Sequence, residues 1–301
     1  MRRNGIGKTH AGDTGFLALC LLPGLLLYGF FMLYPAVRVF GASLFEWSGT
    51  SDTMRFVGLD NFKYLFTDKN ALKSLANTGL LMLMVPVPTL ALSLFFAAVL
   101  SRPDIPERVF YRVVFFFPSI ISFVVVAILW SFIYHPTMGL LDYLLKGIGL
   151  GGIEVPLLGN EKTVLPAIAV ILIWQAFGYY MVMYIAGMDA IPQDIYEAAE
   201  LDGASKTRQF FCITLPLLWE LIRTTLIFSM NGVIVISFTV VNILTAGGPN
   251  WASDVALTNM YRQAFGNANF GYAMSIAVVV FIVSVFLSVL SRRIGRDNND
   301  L

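Results

Sequence analysis

The chain has 301 residues, 57% of them hydrophobic and 13% charged, against roughly 25% charged in soluble domains, which excludes an ordinary water-soluble globule. Twenty Lys and Arg nearly balance nineteen Asp and Glu, giving a formal charge of +1, so no basic surplus exists to hold nucleic acid or anionic lipid. The two cysteines, Cys20 and Cys212, are too few for a disulfide framework and lack Cys or His neighbours at ligand spacing; both read as small buried apolar fillers, and no metal site is expected.

In chain order, the first feature is "GIGKT", Gly5 to Thr9. A phosphate loop needs a further Gly where Arg2 stands, and a preceding strand, so this is read as a flexible basic tail that binds no ATP. Six stretches free of Asp, Glu, Lys and Arg follow: Thr14 to Val37, Ser74 to Ser101, Val113 to Leu141, Thr163 to Met188, Thr224 to Ser253 and Gln263 to Ser291. Each exceeds the roughly 20 apolar residues that a helix needs to cross a bilayer. Lipid offers backbone groups no hydrogen-bond partner, so the fold class is an all-α polytopic membrane protein with six transmembrane helices. The first run is longer than the roughly 7–15 apolar residues of a signal peptide, and "LYPAVRVF" offers no cleavage site, so it is kept as a span. Pro23, Pro35, Pro86, Pro88, Pro118 and Pro166 predict kinked, packed helices.

Six spans place both termini on one side. The segments on that side, residues 1–13, 102–112, 189–223 and 292–301, carry 12 Lys or Arg, and the opposite segments, 38–73, 142–162 and 254–262, carry 8. The bias predicts cytoplasmic termini. The expected organisation is residues 1–73 as tail, first span and extracytoplasmic segment, 74–292 as a five-helix core with a loop at 189–216, and 293–301 as a cytoplasmic tail.

Of the acidic, basic and histidine side chains only His135 falls inside a run, and it follows the aromatic end "LWSFIY", where a residue at the membrane interface is the plain reading. Proton-coupled carriers and intramembrane metal hydrolases therefore lose their expected machinery. In the fourth run, Trp174, Gln175, Gly178 and Tyr179 fall within about 140° of helical arc, a polar-aromatic face. In the fifth, Asn231, Thr239 and Asn242 fall within about 80°. Such groups line a hydroxyl-binding pathway or simply bond neighbouring helices.

Between those runs lies "DAIPQDIYEAAELDGASKTRQFFCITLPLLWELIR". Pro192 suits a first helical turn, good helix formers run to Leu201, Gly203 takes positive φ, Ser205 caps a second helix and Pro216 ends it. An amphipathic hairpin lying on the membrane surface would look similar. The string itself, Glu197-Ala198-Ala199, then Gly203, then Ile213-x-Leu215-Pro216, resembles the EAA loop of ABC-importer membrane subunits. "FVGLDNFKYLF", Phe56 to Phe66, and "LTAGGPNWASDVALTNMYRQAFGNANFGYAMS", Leu244 to Ser275, resemble segments of carbohydrate permeases of the maltose and glycerol-phosphate type. The matches cover most of the chain from about residue 30 to residue 293; the extra N-terminal spans and large insertion of the maltose-type permease are absent.

The resemblance implies a type I ABC importer permease fold and a transport subunit, not an enzyme, working by alternating access for a sugar or related solute. It implies partners too: a homologous second permease, two ATPase subunits that hold ATP and Mg, and an extracytoplasmic solute-binding protein, with no cofactor on this chain. It assigns ATPase coupling to Glu197, Ala198, Ala199, Asp202, Gly203, Ile213, Leu215 and Pro216. Ala198 and Ala199 permit close approach, Glu197 offers a carboxylate to a basic partner group, and Gly203 turns where a Cβ would clash. Ile195, Phe210, Phe211, Ile213 and Leu215 should bind the loop to its own spans. The substrate pathway is expected at Trp174, Gln175, Tyr179, Asn231 and Asn242, Tyr179 matching a sugar-contacting tyrosine of the maltose-type permease. A self-sufficient carrier or channel, which would need coupling charges in the spans, and a membrane scaffold are the alternatives.

Overall fold

The computed structural model describes residues 11–51, 53–102, 104–147 and 156–294; residues 1–10, with the "GIGKT" string, and 295–301 of the tails used in the charge comparison lie outside these. Among the described residues the chain is a helical bundle with one small β-hairpin between its first and second apolar stretches. The helices are α1 (Ala11–Tyr28), α2 (Tyr34–Ala42), α3 (Asp60–Thr67), α4 (Lys69–Met84), α5 (Pro86–Leu100), α6 (Arg108–Ile120), α7 (Phe123–Ile133) and α8 (Leu140–Gly147). They continue with α9 (Val164–Asp189), α10 (Gln193–Leu201), α11 (Lys206–Gln209), α12 (Leu215–Leu217), α13 (Trp219–Leu244), α14 (Ala256–Tyr261) and α15 (Phe270–Ile294). Five-residue π-turns join α1 to α2 and α11 to α12, and follow α14. Strands β1 (Phe45–Glu46) and β2 (Arg55–Phe56) pair antiparallel, Phe45 opposite Phe56.

Among the described residues five stretches are long and apolar enough to cross a membrane: Gly15–Ala42, Lys69–Leu100, Val164–Asp189, Trp219–Leu244 and Phe270–Val289. The third predicted run behaves differently. It divides into α6 and α7, which meet at 100°. With 13 and 11 residues, neither approaches the 30 Å hydrocarbon core at about 1.5 Å per residue, so the described residues give five spans, or six when the bent pair is counted as one. Pro118 lies inside the last turn of α6, where its missing N–H and its ring weaken the ladder just before the break. The fifth run also ends early. Its residues 245–253 leave the helix, because Ala246, Gly247, Asn250 and Trp251 all adopt positive φ and fold the chain back.

The centre of the bundle is α9, packed along α5 and α6 and against α13. Around it lie two clusters, one containing Ile168, Ile171, Val126 and Val240, the other Met181, Tyr184, Ala97 and Leu218. A third, around Leu65, Tyr272 and Ile276, ties α3 and α15 together. By contrast the first span has no buried residue in its most apolar window and meets the bundle through α2 and α15, where Phe40 and Phe281 stand edge to face at 5.5 Å. Both cysteines are exposed, correcting their reading as buried fillers: Cys20 sits on this uncovered span, where the apolar environment lies outside the chain.

Candidate functional site

The hairpin between α9 and α13 forms as its residue types require. Pro192 stands at the N-cap of α10 rather than inside its first turn. At the other end Gly203 takes φ +76, its N–H bonds the Glu200 carbonyl at 3.0 Å, and the Ala204 N–H bonds the Ala199 carbonyl at 2.9 Å. This pair of bonds is the Schellman arrangement, which needs a left-handed residue at that point. A Cβ added at Gly203 would meet nothing within 4 Å, so within this chain the glycine serves backbone conformation; the expected clash is absent. The Ser205 hydroxyl then caps α11 by accepting from the Arg208 N–H at 3.3 Å.

Side chains lock the two arms together. The hydroxyls of Tyr196 and Thr214 lie 2.8 Å apart, buried Gln209 donates to the Ala204 carbonyl at 3.1 Å, and Lys206 pairs with Glu200. The residues expected to fasten the hairpin to the spans divide. Phe210 packs into the cluster around Tyr184 and Ile213 and Leu215 are half-buried, but Ile195 and Phe211 point outward, 41% and 58% exposed. Anchoring falls to Gln209, Thr214 and Leu218 instead. Nor does Pro216 end the second helix: the Leu218 N–H bonds Thr214 and the Ile222 N–H bonds Leu218, carrying the helical path into α13.

The outer surface of α10 has no buried residue. Glu197, Ala198 and Asp202 face outward with Ala199 half-covered, Leu201 is 91% exposed, and Glu197 makes no ion pair among the described residues. The sides of the hairpin continue into α9 and α13, which touch through a polar seam. Tyr184 and Thr225, both fully buried, share a 2.6 Å hydrogen bond, and Gly187 lies under Leu218 and Leu221.

The expected pathway residues do not form one pocket. Trp174 is half-buried with its ring edge to face on Trp130 at 5.6 Å. Gln175 is buried and its amide reaches the Ser119 carbonyl at 3.4 Å, next to the break between α6 and α7. Gly178 is where α9 touches α6: a Cβ there would lie 1.9 Å from the Phe115 carbonyl oxygen. Three of the four residues on the expected face thus serve helix packing, while Tyr179 is 51% exposed. A cavity of about 40 Å³ does open between α9 and α13, but its polar lining is Gln175, Tyr180 and Ser229, with Gly232 leaving the space. Trp174, Tyr179, Asn231 and Asn242 lie outside it. Tyr180 and Ser229 were legible as a pattern: Tyr180 precedes Tyr184 by four, Ser229 follows Thr225 by four, and i, i+4 places each pair on one face.

Asn231 and Asn242 instead share an uncovered stripe of α13. Thr224, Phe228, Val235 and Asn242 are exposed and Asn231 is half-buried, its amide donating to the Ile227 carbonyl at 3.0 Å. Spacings of four and three hold these residues on one side of the helix along its length. His135 caps the turn after α7, its Nδ1 accepting from the Met138 N–H at 3.3 Å.

Residues 79–296 match the family described as binding-protein-dependent transport system inner membrane component. A probable ABC transporter permease of Bacillus subtilis, YurN, is 38% identical over 94% of this chain and 96% of its own length. The diacetylchitobiose uptake permease NgcF of Streptomyces coelicolor is 32% identical over 94% of this chain and 82% of its own. Among solved structures, a chain of the bacterial alginate ABC transporter, crystallised with its pentasaccharide-bound periplasmic protein, superposes with a TM-score of 0.85 over 96% of both chains at 22% identity.

Proposed function

Since the chain belongs to the family of binding-protein-dependent inner-membrane transport components and is a multi-pass permease subunit rather than an enzyme, we propose that it imports a carbohydrate and is driven through the α10 hairpin. It pairs with a second permease and with two ATPase subunits holding ATP and Mg, and receives its solute from an extracytoplasmic binding protein. Both termini and the hairpin face the cytoplasm. The observation that carries this reading is α10 itself, a capped helix with no buried residue and a 91% exposed Leu201, built to be covered by another protein. Burying a Leu contributes about 1.5–3 kcal/mol, and a charge-assisted bond to Glu197 a further 1.5–3 kcal/mol or so.

Closure of the ATPase pair moves the hairpin. Because its arms are bonded to each other and run into α9 and α13, which the Tyr184–Thr225 bond holds together, the displacement passes as a rigid-body movement. Sugars need hydroxyl partners and aromatic faces but no fixed charge; the uncovered α13 stripe with Asn231 and Asn242, and exposed Tyr179, supply both against a second permease. Glu197→Lys or Leu201→Ala should weaken ATPase co-purification, or separate hydrolysis from solute, with the spans still inserted. Wild-type solute-stimulated hydrolysis in both variants would defeat the coupling role. The sugar is identified by testing the purified binding protein against a radiolabelled panel.

A further inference from the structure

On the extracytoplasmic side five aromatic rings form an unbroken chain. Phe238, on the margin of the uncovered α13 stripe, lies 5.6 Å from Tyr261 at the end of α14; Tyr261 lies 4.8 Å from Phe265, Phe265 5.3 Å from Phe270, and Phe270 5.6 Å from Trp47 beside the β1–β2 hairpin. Tyr261 is 45% and Phe265 67% exposed. We propose that this chain of rings is a carbohydrate-binding track at the extracytoplasmic mouth, on which pyranose rings stack as solute passes from the binding protein to the pathway. The inference rests on the carbohydrate reading above.

Three features carry it. First, the rings are held rigidly. Buried Asp254 pairs with Arg262 at 2.5 Å, buried Asn259 reaches the Ser74 hydroxyl at 3.3 Å, the Ala256 N–H donates to Thr78 at 2.9 Å, and the Asn77 amide donates to the Ala252 and Asp254 carbonyls. A segment so tied to α4 keeps the outward rings of Tyr261 and Phe265 in fixed positions, a preorganised surface for a ligand. Second, polar edges flank the faces: Gln263 and Asn267 bond each other at 2.9 Å on either side of Phe265 in sequence, and Arg262, next to Tyr261 in the chain, holds its guanidinium 4.1 Å over the Trp251 ring. Aromatic faces next to amide and guanidinium donors suit a sugar's apolar C–H face and its equatorial hydroxyls, whereas a lipid tail has no use for the donors. Third, the chain has direction. It starts at the hairpin, outside the spans, and ends on the α13 stripe, instead of circling the bundle at one depth as an interfacial belt does.

The test uses the complete transporter in lipid nanodiscs without binding protein, with maltose, cellobiose and N,N′-diacetylchitobiose as separate probes. Saturation-transfer NMR should detect at least one disaccharide on the wild type, with the strongest transfer to ring C–H protons. In Phe265→Ala and Tyr261→Ala the transfer should fall about fivefold, an aromatic face being worth roughly two- to tenfold, and Phe265→Tyr should retain it. Co-purification of all subunits should stay at wild-type level. No transfer on the wild type, or equal transfer on the alanine variants, overturns the track. Loss of subunit assembly in the alanine variants overturns it as well, making the rings a protein interface. Failure of the carbohydrate reading looks different: the purified binding protein then captures no sugar at all.

Discussion

Gly178 offers the sharpest check on how the bundle is packed. A methyl group there would sit 1.9 Å from the Phe115 carbonyl oxygen, 2.6 Å from its carbon and 2.9 Å from the Phe116 Cα. All three atoms are backbone, so no side-chain rotation relieves the clash, and α9 must withdraw from α6 by more than an ångström to restore van der Waals separation. That shift would open the contact of Phe115 with Phe177, now 5.7 Å between ring centres, and the 3.4 Å reach from Gln175 to Ser119. Overpacking costs about 1–3 kcal/mol even where side chains yield, so Gly178→Ala should reach the top of that range or pass it. Gly79, mid-helix in α4, has nothing within 4 Å of its added Cβ, and Gly79→Ala should stabilise by about 0.5–1 kcal/mol through helix propensity. The assay is thermal unfolding of the detergent-purified chain, with uptake measured in parallel. Equal melting temperatures for the two variants would refute the assigned α6–α9 contact, and a Gly178→Ala chain that melts normally but changes its solute preference would return this face to the pathway.

Tyr184→Phe removes the bond to Thr225, whose hydroxyl keeps its donation to the Leu221 and Ile222 carbonyls, and should cost about 0.5–1.5 kcal/mol; a double-mutant cycle with Thr225→Val on melting temperature measures the coupling, and additive losses would refute the seam. Arg262→Ala strands the buried Asp254 carboxylate, whose pKa burial already pushes up against the lowering pull of Arg262; a destabilisation of about 3–5 kcal/mol is expected, shrinking markedly when Asp254→Asn is added, and an unchanged melting temperature would refute it. For topology, Cys20 and Cys212 are first replaced by Ala because both are exposed; a cysteine at Ser51 should then react with an impermeant maleimide in cells lacking an outer-membrane barrier and one at Ser205 should not. The reverse pattern would invert the chain and remove α10 from the cytoplasm.

What the sequence determined by itself is whatever a bilayer or a few local bonds enforce. Charge-free runs must become helices because lipid satisfies no backbone group, and α1, α5, α9 and α15 lie where those runs predict. The hairpin was equally legible, since Pro192, Gly203 and Ser205 act through their own backbone geometry and hydrogen bonds within a few residues. Only tertiary structure decided the rest. A run without charges does not say whether it is straight: Pro118 marks a weak point, but the 100° angle at the break, beside which Gln175 reaches the Ser119 carbonyl, is read only from the packed structure. Residues 245–253 are uncharged enough to read as membrane, yet Ser253 and Asp254 are buried against α4 in a turned loop. Helical periodicity grouped Trp174, Gln175, Gly178 and Tyr179 correctly on one arc but could not say what faces it: α7 meets Trp174, α6 meets Gln175 and Gly178, and only Tyr179 stays exposed. In a soluble protein burial follows hydrophobicity; in this chain apolar residues face lipid, neighbouring helices and partner surfaces alike, so composition no longer tells inside from outside and only the packing does.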